Sequence, residues 1–304
     1  MGKVDATIIS TLGQGAQGTV HEVLIEHKKY ALKIYDKTQS HSYSAQRRSR
    51  KIGEIISNPQ VGALKRTWML DNGEEDNGNP VMLHRLFKNP AIEDYYTSYI
   101  PPKSLRVREK IAIGLTAGIV EIHRNNIVHA DLAPINVLYT QNGEVAIIDF
   151  DGAGYYPPDK TINSLEPIVK GHVQFPNWVV PPEIKKDVSG FGTDIWWLAS
   201  IIMKVLTGYS PFFFLKIADD KSMRELLELI PDTNFSWPPN YEDIRNHSKI
   251  QTTLSKSVLE RVRKVLNTTI ATATLGEVFI NYTNINHRPN SIKIWSSFRS
   301  RCFK

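Results

Sequence analysis

The chain has one cysteine, Cys302, in 304 residues. That excludes a disulfide-stapled scaffold and a cysteine-based zinc centre. Long hydrophobic runs are missing too. The most apolar stretch, Ile195 to Met203, is broken at Lys204, well short of the ~18 residues a membrane span needs. The opening MGKVDATIIS lacks the basic-then-apolar pattern of a signal peptide. Ala6 stands where a myristoylation signal wants Ser or Thr. Repeats and low-complexity tracts are absent, and the nine histidines lack the paired helical spacing of a metalloprotease. No charge of one sign dominates: a net +6 is mild for this length and reads as a soluble basic surface, with nucleic acid not favoured as a partner. These absences predict a soluble, cytoplasmic protein with no membrane partner.

What remains is an ordinary globular composition, 41% hydrophobic, 22% charged and 10% aromatic. The pattern changes along the chain. Residues 6–12, 19–25 and 28–35 are short β-prone runs split by a glycine-rich turn and by Glu26-His27-Lys28. Residues 42–57 read as a helix that Asn58-Pro59 stops, and Val61–Leu70 and Val81–Phe87 as two strands around a polar turn, Asp71–Asn79. From about residue 103 the spacing becomes helical, with Ile111, Leu115, Ile119 and Ile122 on one face. Two short strands flank Gln141-Asn142-Gly143. Ile195–Thr207 is an apolar helix with a glycine stop at Gly208, and further helices fall near 221–230, 255–269 and 289–299. The expectation is an α+β fold of two lobes with a cleft between them: residues 1–87 a β-rich N-lobe with one helix, residues 88–304 a helical C-lobe.

Three segments carry chemistry. Leu12-Gly13-Gln14-Gly15-Ala16-Gln17-Gly18-Thr19-Val20 is a G-x-G-x-x-G-x-V run between two strands. A dinucleotide-binding glycine run would open a helix instead, so this one suits a hairpin lying over phosphates, or a plain glycine-rich hairpin. Tyr30-Ala31-Leu32-Lys33-Ile34 places a lysine among apolar residues on the following strand. Val128-His129-Ala130-Asp131-Leu132-Ala133-Pro134-Ile135-Asn136-Val137-Leu138, followed by Ile147-Ile148-Asp149-Phe150-Asp151-Gly152, puts two carboxylates and an amide on two tight loops. Phosphoryl transfer needs such a set: a group that orients the nucleophile, and hard oxygen ligands for Mg²⁺.

Taken together these segments resemble a eukaryotic-type protein kinase domain over nearly the whole chain. The resemblance implies that Gly13, Gly15 and Gly18, with Gln14, Ala16 and Gln17 between them, cover the phosphates of ATP, with Leu12, Val20 and Ala31 around the adenine. It implies that Lys33 holds the α- and β-phosphates, Asp131 acts as base, and Asn136 and Asp149 bind Mg²⁺, with Mn²⁺ possible. Glu54, the only glutamate between Lys33 and Glu74, is the candidate helix partner of Lys33. Pro181-Pro182-Glu183 resembles the motif closing the activation segment. Thr193-Asp194-Ile195-Trp196-Trp197-Leu198 resembles the helix whose aspartate braces the catalytic loop. Arg288-Pro289 stands where the family pairs an arginine with the activation-segment glutamate, here Glu183.

The chain departs from the family in three ways. Ala130 replaces the arginine before the base, so no pocket awaits a phosphorylated activation loop. Ala133 replaces the lysine of Ser/Thr kinases, and Ile135 stands where tyrosine kinases with that alanine supply an arginine. Asp151 replaces the glycine of Asp-Phe-Gly, either as a turn residue tolerant of left-handed backbone or as extra charge beside the metal site. The basic run Arg47-Arg48-Ser49-Arg50-Lys51 reads as a solvated helix face, and Phe212-Phe213-Phe214 as buried packing. The expected function is an ATP- and Mg²⁺-dependent protein kinase acting on a protein substrate, with Ser/Thr favoured. Two alternatives are a nucleotide-binding scaffold without catalysis and a small-molecule phosphotransferase of the aminoglycoside or choline type.

Overall fold

A computed structural model describes residues 5–15, 17–39, 41–56, 69–74, 78–87, 102–139, 142–155, 181, 190–211, 242, 255–270, 272–280 and 288–302. Ala16, Glu183, most of the 61–70 strand, the 221–230 helix and the Phe212–Phe214 cluster lie outside these residues. No helix among the described residues is long and apolar enough to cross a membrane.

The N-terminal part is an antiparallel sheet of β1 (Thr7–Gly15), β2 (Gly18–Ile25), β3 (Lys28–Tyr35), β4 (Met69–Glu74) and β5 (Pro80–Arg85), in the order β1-β2-β3-β5-β4. Strands β2 and β3 join through Glu26 and His27, both with positive φ (45° and 64°), the geometry of a two-residue hairpin turn that matches strand twist. The expected turn Asp71–Asn79 needs correction, because its first four residues belong to β4. That strand lies at the sheet edge, held by backbone pairing to β5, so it needs no apolar alternation.

Helix α1 (Ser42–Ile55) lies against the sheet through Ser42, Ala45, Gln46, Ser49 and Ile52, all buried. Small side chains on this face allow close approach, and Ala45 packs with Tyr35 of β3 and Met82 of β5. Gln46 Nε2 donates to the Val81 carbonyl at 2.9 Å.

The C-terminal part is built around α2 (Leu105–Arg124) and α3 (Phe191–Thr207), which pack on each other. Every residue of α3 from Thr193 to Leu206 is buried, as expected of a helix apolar on all sides. Gly208 ends it with φ 84°, a left-handed cap that glycine takes at little steric cost. Around this pair sit α4 (Lys256–Thr269), α5 (Thr272–Ile280) and α6 (Ser291–Cys302). Trp196 meets Phe279 edge-on, ring centroids 5.5 Å apart. Between α2 and α3 in sequence run β6 (Ile127–Val128), β7 (Val137–Tyr139), β8 (Val145–Ile147) and β9 (Gly154–Tyr155), paired β6 with β9 and β7 with β8, with β6 and β8 packed on α2.

Candidate active site

On β3, alternation puts Ala31, Lys33 and Tyr35 on one face. Val20 of β2 lies directly opposite Lys33, and Met82 of β5 faces it from the other side. The glycine hairpin continues β1 and β2: Gly13 pairs with Val20, Gln14 with Thr19 and Gly15 with Gly18. Only Gly18 is sterically required. At its φ of 154°, a Cβ would lie 2.0 Å from the Ile34 carbonyl oxygen. Among the described residues nothing lies within 4 Å of a Cβ at Gly13 or Gly15. Leu12 is exposed and Ala31 buried. Among the described residues, the buried side-chain oxygen of Gln17 has no hydrogen-bond partner.

Asp131 and Asn136 sit on the loop between β6 and β7, which ends in a single 3-10 turn at Pro134–Asn136. Asn136 Nδ2 donates to the Asp131 carbonyl at 2.8 Å and to its Oδ2 at 3.2 Å. With its nitrogen so used, the amide turns its oxygen the other way. The Ile148 amide donates to the Asn136 carbonyl at 2.9 Å, and His129 Nε2 donates to the Ile148 carbonyl at 3.0 Å. These two bonds fix the loop carrying Asp149 beside the loop carrying Asp131. Buried His129 also packs on Phe150 at 4.8 Å, and burial holds its pKa down, keeping it neutral.

Asp194, fully buried on α3, grips the start of the loop between β6 and β7. Its Oδ2 accepts from the His129 amide at 2.7 Å and lies 3.1 Å from His123 Nε2, and its Oδ1 accepts from the Ala130 amide at 2.9 Å. Ala130 itself has φ 66°, a strained conformation for a residue with a Cβ that the two charge-assisted bonds hold in place. Arg288 is buried at the start of α3: it donates to the Gly192 carbonyl at 2.8 Å, and its guanidinium lies 4.9 Å from the centre of the Trp196 ring.

Lys33 Nζ reaches across to the loop after β8, donating to Asp149 Oδ1 at 2.9 Å and to Asp151 Oδ2 at 2.6 Å. The expectation that Glu54 partners Lys33 is corrected: Glu54 pairs with Arg50 one turn earlier on α1, at 3.0 Å, and is 59% exposed. Helix phase explains it. Glu54 lies five residues past Ser49, about 140° around the helix, and Ser49 is the residue turned inward. The left-handed backbone also falls elsewhere than expected, at Asp149 (φ 62°) and not at Asp151.

The charges differ within this group. Burial pulls the Lys33 pKa down, but Asp149 and Asp151 outweigh it, leaving the ammonium firmly charged. Burial would raise Asp149, yet Lys33 beside it brings the net shift below the usual carboxylate range. Burial, with the charge of Asp149 adding to it, pushes Asp131 up to about 7. Asp149 is 37% exposed and Asp151 6%, so of the two carboxylates Asp149 is the one open to a ligand. The Asn136 amide oxygen and the Asp149 carboxylate are each the kind of hard oxygen donor that Mg²⁺ accepts alongside water and phosphate oxygens. Among the described residues no cluster of three His, Cys, Asp or Glu side chains is arranged to hold a metal by itself.

A family model described as protein kinase domain matches residues 6–272. The chain belongs to the protein kinase domain family. Its fold is the two-lobed α+β arrangement of that family. Among relatives, MAP kinase kinase MKK1/SSP32 of Saccharomyces cerevisiae is 28% identical over 149 residues, covering 46% of this chain and 28% of that protein. Cyclin-dependent kinase 20 of Homo sapiens is 25% identical over 252 residues, 80% of this chain and 68% of that one. Serine/threonine-protein kinase PrkC of Bacillus subtilis is 24% identical over 213 residues, 67% of this chain and 31% of the relative. The kinase domain here thus spans about a third of the length of two of these three relatives.

Proposed function

We propose that this kinase domain transfers the γ-phosphoryl group of ATP to a serine or threonine hydroxyl of a protein substrate. One observation carries the reading: Lys33 from the sheet and Asp149 from a loop 116 residues later meet at 2.9 Å, beside the loop that holds Asp131 against Asn136. In this reading Asp131 orients the hydroxyl and accepts its proton, and Lys33 neutralises the α- and β-phosphates beneath the Gly13–Gly18 hairpin. Asn136 and Asp149 supply oxygen ligands for Mg²⁺, or Mn²⁺ in its place. Bound there, the metal offsets phosphate charge as transfer proceeds. Preference for Ser/Thr rests on the name of the Bacillus subtilis relative. The protein substrate rests on the family.

The test is incubation of the purified chain with γ-labelled ATP, Mg²⁺ and a mixed protein extract. Asp131→Ala should lower label transfer to protein by roughly 10²–10⁴-fold, the usual contribution of a positioned acid or base, with ATP still bound. Wild-type transfer by Asp131→Ala would overturn the assignment. ATP binding without transfer by the wild type would favour a scaffold, and label appearing only on small molecules a small-molecule phosphotransferase.

A further inference from the structure

Asp151 occupies a site that neither a turn residue nor a metal ligand requires. It is 6% exposed, and its two oxygens take three donors from two other elements. Lys33 Nζ donates to Oδ2 at 2.6 Å. The Tyr35 hydroxyl, also from β3, donates to Oδ1 at 2.8 Å, and the Ser49 hydroxyl of α1 donates to Oδ1 at 2.5 Å. Tyr35 is fully buried, with its ring 5.1 Å from the Lys33 ammonium, and Ser49 lies on the inward phase of α1. A carboxylate accepting from one cation and two hydroxyls is held in a single orientation. It presents Oδ2 to Lys33 at a point where α1 itself offers no acid.

We propose that Asp151 is the positioning carboxylate for Lys33, locked by Tyr35 and Ser49 so that strand β3, helix α1 and the loop after β8 form one unit. The proposal rests on the kinase reading for the role of Lys33. Asp149 is the partner open to solvent and suited to metal, and Asp151 is the buried one that stays with Lys33 when Asp149 turns to a ligand. This arrangement removes the need for Glu54. It also ties the orientation of α1 to the loop carrying Asp149 through the Ser49 hydroxyl, a role that a helix glutamate would fill from the other side.

The experiment measures ATP affinity with Mg²⁺, and KM for ATP against kcat, in Asp151→Asn, Asp151→Gly and the double variant Asp151→Gly/Ser49→Glu. Asn keeps the shape and deletes the charge, which separates positioning from turn geometry. We expect Asp151→Asn and Asp151→Gly to weaken ATP binding by tenfold or more and to raise KM more than they lower kcat. Adding Ser49→Glu should restore at least a third of the lost affinity, since it returns a carboxylate to the same pocket from the helix. Asp151→Asn with affinity within twofold of wild type, or a double variant no better than Asp151→Gly, would overturn the proposal. A second readout works without nucleotide: a double-mutant cycle of Lys33→Met with Asp151→Asn on the urea midpoint. Non-additive midpoints support the pairing and additive ones contradict it. A wild type that binds no ATP but shows this coupling would sink the kinase reading alone.

Discussion

Two buried aspartates organise this molecule, and they do opposite kinds of work. Asp194, under the loop between β6 and β7, accepts from two backbone amides and lies within hydrogen-bond distance of His123 on α2. Its partners belong to the floor of the C-lobe, and the result is a fixed loop with Ala130 held at positive φ. Asp151, at the junction of the lobes, accepts from three side chains on β3 and α1. Its partners belong to the other lobe, and they are side chains where those of Asp194 include backbone amides. The first aspartate provides rigidity to the loop that carries the proposed base, Asp131. The second provides registration between parts that must approach each other.

The largest effect should come from the floor. Asp194→Ala would leave two buried amides unpaired, each worth about 1–3 kcal/mol, so we expect unfolding free energy to fall by roughly 2–5 kcal/mol in urea titration. A loss under about 1 kcal/mol would mean the loop holds itself. In the upper sheet, Gly18→Ala drives a methyl into the Ile34 carbonyl and should cost about 1–3 kcal/mol, read as a lower thermal midpoint together with weaker ATP binding. Arg288→Met should remove the Gly192 hydrogen bond and the stacking on Trp196, lowering stability by about 1–2 kcal/mol. The smallest effect belongs to Glu54→Gln. Its exposed pair with Arg50 is worth about 0.3–0.5 kcal/mol on a helix surface, so stability should hardly move. A large loss of activity in Glu54→Gln would break the contrast between the helix acid and Asp151.

How much of this was legible in the sequence differs between the same two regions. Asp194 could be found because Thr193-Asp194-Ile195-Trp196-Trp197-Leu198 resembles the family's helix whose aspartate braces the loop; the apolar run itself begins only at Ile195. Strands β1 to β3 were legible as β-prone runs separated by turn residues, α2 from its helical spacing of Ile111, Leu115, Ile119 and Ile122, and α3 from its apolar run. The role of Asp151 was not legible, because its partners Tyr35 and Ser49 lie over a hundred residues away and each is unremarkable in its own segment. Glu54 was reached by elimination among acids. The inward phase of α1, set by Ser42, Ala45, Gln46, Ser49 and Ile52, would have excluded it, yet that face is small and polar and gives no hydrophobic signal. Strand β4 went unseen past Leu70 because Asp71-Asn72-Gly73-Glu74 reads as a turn, and an edge strand paired by its backbone needs nothing apolar.

The contrast is tested most directly by measuring two quantities on two variants, Asp194→Asn and Asp151→Asn: the free energy of unfolding and the ATP affinity of the folded protein in Mg²⁺. Asp194→Asn should lose about 2–3 kcal/mol of stability, since an amide nitrogen would face backbone donors, with ATP affinity within about threefold of wild type. Asp151→Asn should lose tenfold or more in ATP affinity at a smaller cost in stability, because Lys33 keeps Asp149 as a partner. If both variants lost stability and affinity in proportion, the two aspartates would be doing the same work, and the division between a braced floor and a registering junction would be wrong.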